Sequence, residues 1–286
     1  MGVNAARLHC PQRRVPRYAV EPYAKADTLT GAAGYMALVL AEAVAGACAF
    51  LWLTPLWNEV KRGFFTLATS ILFVVALAAW LSTRAAQIPG DDAGQWSATL
   101  ALAAAAASGM AFVLMLAKRH LLARTAGIVG VAASLATLVA MAGTARQSFA
   151  IAVFQLLAGA AFLGSITDGL LLGHWYLTDR GLSRGPINRF TTAMVVAVVI
   201  EGAAIVSSGF EGVESSASLN PLLTAGALAP WIALGMVVAT LLIALLTRAT
   251  LQGERASAVQ SATGFYYLAV VTAFTAEVAV KTRFLA

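Results

Sequence analysis

Charge is scarce in this sequence: 11% of its 286 residues are Asp, Glu, Lys or Arg, against roughly 25% in an ordinary soluble domain. That scarcity excludes a soluble globular protein. Cysteine is limited to Cys10 and Cys48, with no Cys-x-x-Cys, which excludes a disulfide framework, a thiolate zinc site and c-type haem attachment. Histidine is limited to His9, His120 and His174, and no His-Glu-x-x-His occurs. A Gly-x-x-x-x-Gly-Lys-Ser/Thr phosphate loop and a Gly-x-Ser-x-Gly elbow are also missing, so nucleotide hydrolysis and serine-hydrolase chemistry have no carrier. What is abundant is apolar: 60% of the residues are hydrophobic, and the mean hydropathy is +0.80.

In hydrocarbon every backbone polar group must be satisfied within the chain, so only helices and closed barrels cross it. A barrel reads as alternating strands of about ten residues. Stretches such as Leu100 to Ala107, continuously apolar and Ala-rich, read as helix instead. Eight apolar segments, at 31–55, 64–83, 96–117, 124–144, 149–172, 190–208, 221–247 and 263–282, each have about the 20 residues that span a bilayer. The expectation is an all-α polytopic membrane protein of eight transmembrane helices.

Residues 1–30, with Arg7, Arg13, Arg14, Arg17 and Lys25 but no apolar core, read as a retained polar tail rather than a signal peptide. Connections after spans 1, 3, 5 and 7 hold Lys61, Arg62, Lys118, Arg119, Arg124, Arg180, Arg184, Arg189, Arg248 and Arg255, while those after spans 2, 4 and 6 hold Arg84 and Arg146. By the positive-inside rule the first set faces the cytoplasm, which puts both termini outside a bacterial-type inner membrane. The five basic residues of the tail argue the other way. The net charge of +6 is thus topological information and not a nucleic-acid footprint.

The segments correspond in order across the two halves. Ala45-Gly46-Ala47-Cys48-Ala49-Phe50-Leu51 resembles Ala158-Gly159-Ala160-Ala161-Phe162-Leu163, and Arg62-Gly63-Phe64-Phe65-Thr66 resembles Asn188-Arg189-Phe190-Thr191-Thr192. Gly109-Met110 matches Gly235-Met236, and Thr125-Ala126-Gly127 matches Ala262-Thr263-Gly264. The expectation is a tandem pair of four-helix units, 31–147 and 148–286, inserted with the same polarity. Small residues four apart, Ala126 with Gly130 and Ala160 with Gly164, predict close helix packing.

An ionisable group inside hydrocarbon costs several kcal/mol unless paired or hydrated, which makes each a candidate for function. Glu42 and Glu201 lie near mid-span, Asp168 toward the end of span 5, and Glu277 in the second half of span 8. Glu42, Glu201 and Glu277 are candidate proton-path residues. At one boundary Asp168, His174, Trp175, Tyr176 and Arg180 gather donors, a titratable imidazole and aromatic walls, which is what a quinone headgroup needs. An aromatic belt with a snorkelling Arg is the other reading of that stretch. His174 and His120 fall on one side by parity and are the available pair for axial ligation of haem b, although His120 reads as a loop residue and haem b is not expected. Lys281 reads as lying at the membrane edge, unsuited to a retinal Schiff base, and no metal site is expected.

Eight spans in two units, with the last ending Ala276-Glu277-Val278-Ala279-Val280-Lys281-Thr282-Arg283-Phe284, resemble the membrane anchor subunits of dimethyl-sulfoxide-reductase and polysulfide-reductase type complexes. Ala276 stands where that family often has Gly. The resemblance implies a quinone-binding subunit of a respiratory complex, partnered by iron-sulfur or cytochrome proteins and surrounded by lipid. Two other readings stay open: a secondary transporter using intramembrane carboxylates, and an assembly subunit without ligand.

Overall fold

The computed structural model describes residues 29, 31–87, 92–145, 147–179, 181–208, 228–253 and 257–284. They form eight long helices: α1 (Gly31–Leu53), α2 (Arg62–Ala86), α3 (Asp92–Leu116), α4 (His120–Ala142), α5 (Phe149–Thr178), α6 (Gly185–Ser207), α7 (Ala229–Leu251) and α8 (Ala258–Phe284). A short 3-10 turn, Thr54–Trp57, follows α1. All eight are long and apolar enough to cross a bilayer. The chain is an integral membrane protein with the helical, polytopic fold expected from its sequence.

Several boundaries differ from the sequence reading. The seventh helix starts at Ala229, which puts Pro230 in the first turn, where its missing N–H is harmless, and not inside the span. Its expected start at 221 lies outside the described residues. The fifth helix runs on to Thr178, so Asp168 sits ten residues from its end and not in the last turn. His120 is the first residue of α4 rather than part of a loop.

The burial pattern is that of a lipid-solvated bundle. Val74, Val113, Leu121 and Val271 point outward, while the interior is rich in Ala, Gly, Ser and Thr. Interior hydroxyls are mostly satisfied within their own helix, as when Thr69 donates to the Phe65 carbonyl and Thr247 to Ile243. With no hydrophobic drive between helices in lipid, close packing of small residues must hold the bundle.

Within the first four helices α1 meets α2 and α4, α2 meets α3, and α3 meets α4; α5 to α8 meet one another in the same pattern. The two groups join along α1 and α5. There the backbones nearly touch, because a Cβ on Gly46 would overlap the Ala160 carbonyl and one on Gly164 would overlap Gly46 itself. The Ala160 and Gly164 pair expected to pack closely does so. Leu29 and Phe284 share one apolar cluster, so both ends of the described chain lie on one face.

Gly46→Ala is expected to force α1 and α5 apart and to destabilise the protein by about 3 kcal/mol, the upper end of overpacking costs. Gly264→Ala, where a Cβ meets nothing within 4 Å, is expected to be neutral or up to about 1 kcal/mol stabilising. Unfolding of both variants in mild detergent checks the contrast.

Candidate functional site

Four ionisable side chains from three helices converge in the interior. Lys281 Nζ on α8 lies 2.5 Å from Glu42 Oε1 on α1 and 3.1 Å from Glu277 Oε2, one turn back on its own helix. Glu201 on α6 adjoins Glu277. Glu42, Glu277 and Lys281 have no exposed surface, and Glu201 has 1%. Lys281 is therefore a buried member of the centre, not a residue at the membrane edge, because the α8 turn holding Glu277 and Lys281 faces the bundle axis.

Space for these groups comes from Gly159 on α5. A Cβ there would stand 2.6 Å from Glu42 Oε1 and 3.1 Å from Glu277 Oε1. Any larger residue would displace the carboxyls. One ammonium balances one carboxylate, and Lys281 is the only buried basic side chain among the described residues. Electroneutrality of this buried centre thus calls for two further protons or cations on its three acids. Among the described residues, no group of three or more His, Cys, Asp or Glu is arranged to hold a metal ion.

A second buried polar tier lies toward the opposite face. Asp168 is nine residues beyond Gly159 on α5, about 14 Å at helical rise. Its Oδ2 is buried without a hydrogen-bond partner. The next residue, Gly169, leaves room for the Tyr266 ring, whose hydroxyl pairs with Thr191 Oγ1 at 3.0 Å. Tyr266 and Thr191, from α8 and α6, carry no sequence signal: each reads as an ordinary interior residue.

Beyond Asp168 the boundary cluster does not converge. His174 turns to α8, where Tyr267 Oη is 2.5 Å from Nε2, and its Nδ1 is 3.2 Å from the Leu170 carbonyl. A carbonyl only accepts, so the contact with Leu170 is an Nδ1–H donation. Trp175 packs on Gly63 of α2. The Tyr176 hydroxyl donates to the Ser183 carbonyl. Successive residues about 100° apart on one helix cannot all face one ligand. Arg180 lies outside the described residues. His120 lines a cavity between the ends of α1 to α4, among Trp52, Arg62 and Arg124, whereas His174 is engaged with α8.

The connections α1–α2 and α5–α6 are clamped together. Ser183 Oγ donates to Glu59 Oε2 at 2.5 Å, Arg189 reaches Glu59 Oε1 at 2.6 Å, and Lys61 meets Asp179 at 3.0 Å. Arg189 also stacks over the Trp57 ring. The Ser183 hydroxyl, with Arg189 second, holds the Glu59 carboxyl below its ordinary value of 4.5.

No known protein family, curated protein or solved structure matches this chain.

Lys281→Met strands two carboxyls beside an apolar side chain and is expected to cost about 3–5 kcal/mol, the usual penalty for breaking a buried pair. Adding Glu42→Gln is expected to return a large part of that loss, which a double-mutant cycle of detergent unfolding would measure. Glu59 behaves differently because its value is depressed in the folded protein. Its contribution is present above about pH 4.5 and lost as acidification passes through its lower, folded value. Glu59→Gln should therefore flatten stability against pH in that acidic window and leave neutral behaviour nearly unchanged.

Proposed function

We propose that this membrane protein moves protons through the centre formed by Glu42, Glu201, Glu277 and Lys281. The observation that carries the reading is the convergence of three acids and one ammonium, all buried, from α1, α6 and α8. A structural ion pair needs one acid for one base. Here two acids are left over, and a proton is the partner that a buried carboxyl takes up most directly. Carboxyls that exchange protons beside an alternating ammonium partner are the elements of an intramembrane proton relay.

Asp168 extends the acidic series toward the face carrying the α5–α6 connection, where the Tyr266 and Thr191 hydroxyls follow it. This ordering supports entry or exit of protons on that face.

The test uses purified protein in sealed liposomes with an internal pH dye and an imposed potassium diffusion potential. Proton uptake above that of empty vesicles is expected. Glu42→Gln and Glu277→Gln should each lower it at least about tenfold, on the order of 1.4 kcal/mol of barrier. Flux that equals empty vesicles, or that both variants leave untouched, would overturn the reading.

A second reading, a quinone-binding membrane subunit of an electron-transfer complex, draws support from the His174–Tyr267 pair. Tyr267 is 51% exposed on the outside of the bundle, so a quinone arriving through lipid would meet a hydroxyl and an imidazole there. Gentle purification from native membranes checks it: redox subunits and bound quinone in the preparation favour this reading, and a lone chain without either removes it.

A further inference from the structure

We infer that the ends of α1 to α4 form a binding site for an anionic phospholipid, recognised through its glycerophosphate group. Two adjoining features carry this, and neither takes part in the proton centre. The first is a cavity of about 420 Å³ whose basic wall is Arg62, His120 and Arg124 and whose apolar floor includes Trp52 and Phe65. Among the described residues, no acidic side chain lines it. Glu59, in the same connection, is turned away to Ser183 and Arg189.

The second is a groove of about 680 Å³ that starts at Arg62 as well and runs along α2 past Thr66 and Ser70, with Phe112 of α3 on its far side. Thr66 and Ser70 follow Arg62 at successive helical turns, so the groove descends about 12 Å from the basic cavity toward the middle of the bilayer. A basic pocket at the membrane boundary opening into an apolar trough below it has the shape and polarity of a headgroup site with an acyl chain leading away.

Arg62 is well placed to join the two parts. One of its terminal nitrogens donates to the carbonyls of Met115 and Leu116, at 2.6 and 3.3 Å, which fixes the guanidinium at the end of α3. Its other N–H groups stay available to a phosphate, for which a held guanidinium is a good geometric match. The stacked Trp52 and Phe65 rings, 6.4 Å apart, supply a rigid floor at headgroup depth. A zwitterionic headgroup would bring a quaternary ammonium against three basic groups. An anionic one brings only compensating charge.

The full-length protein in neutral detergent would be titrated with phosphatidylglycerol, with phosphatidylcholine of the same chains, and with inorganic phosphate, with retained lipid read by native mass spectrometry. Phosphatidylglycerol should be held about tenfold more tightly than phosphatidylcholine, and inorganic phosphate should neither raise the unfolding temperature nor compete. Arg124→Gln with His120→Gln alters only exposed side chains and should erase the preference while leaving lipid-free unfolding unchanged. Ser70→Trp, which fills the groove, should weaken phosphatidylglycerol binding without touching the basic cavity. Equal retention of the two lipids, or a preference surviving both variants, would overturn the inference. Effective competition by inorganic phosphate would make this a free-anion site and overturn the lipid assignment.

Discussion

The near-contact of α1 and α5 at Gly46, Ala160 and Gly164 is the constraint on which the rest of the bundle depends. Two helices normally pack 8–10 Å apart, and only glycine at the crossing lets carbonyl and Cα atoms meet. That crossing joins the two groups of four helices. It also sets how far Glu42 reaches past α5, and a second glycine on the same helix, Gly159, opens the space into which the carboxyls of Glu42 and Glu277 project. The glycines are thus both the structural joint and the mould of the polar centre.

A centre built this way is isolated from water by its neighbours rather than by depth alone. Glu277 is seven residues from the end of α8, about 10 Å, close enough to one face for a short connection. Toward the other face, about 14 Å of α5 separate Gly159 from Asp168, with Phe162, Leu163 and Ile166 buried in that interval. The buried Ser165 lies in the same interval with its hydroxyl donating to the Phe162 carbonyl, so on the proposed reading a proton moving in that direction passes mostly apolar side chains before it meets the Tyr266 and Thr191 hydroxyls.

Much of this was legible in the sequence because hydrocarbon is an exacting solvent. Runs of apolar residues located all eight helices, and the cost of burying charge singled out Glu42, Glu201 and Glu277 before any geometry was known. Lys281 escaped because distance from a helix end is a poor guide to burial: the residue is near the end of α8, yet its i and i+4 relation to Glu277 turns both inward together. The stretch from Asp168 to Tyr176 shows the opposite limit of sequence spacing. Chemically suggestive neighbours in sequence diverge on a helix, so His174, Trp175 and Tyr176 part toward Tyr267, Gly63 and Ser183. Tyr267 and Tyr266 could not have been singled out, since adjacent tyrosines on a membrane helix say nothing about which one faces in.

The two groups of four helices share a packing pattern but not a chemistry. The sequence correspondence that sets Gly46 beside Gly159 sets Glu42 beside Gln155, each four residues earlier, and both side chains are buried. Glu42 meets an ammonium; Gln155 instead accepts from Gln147, a neighbour near the start of its own helix. An amide satisfies itself with local hydrogen bonds and exchanges no proton, whereas a carboxyl at that depth demands a counter-charge from another helix. The demand is met from α8 of the other group, so the polar centre straddles the joint between the groups. Any relative movement of α1 and α8 would change the Lys281–Glu42 distance directly, so this ion pair ties the packing of one group to that of the other.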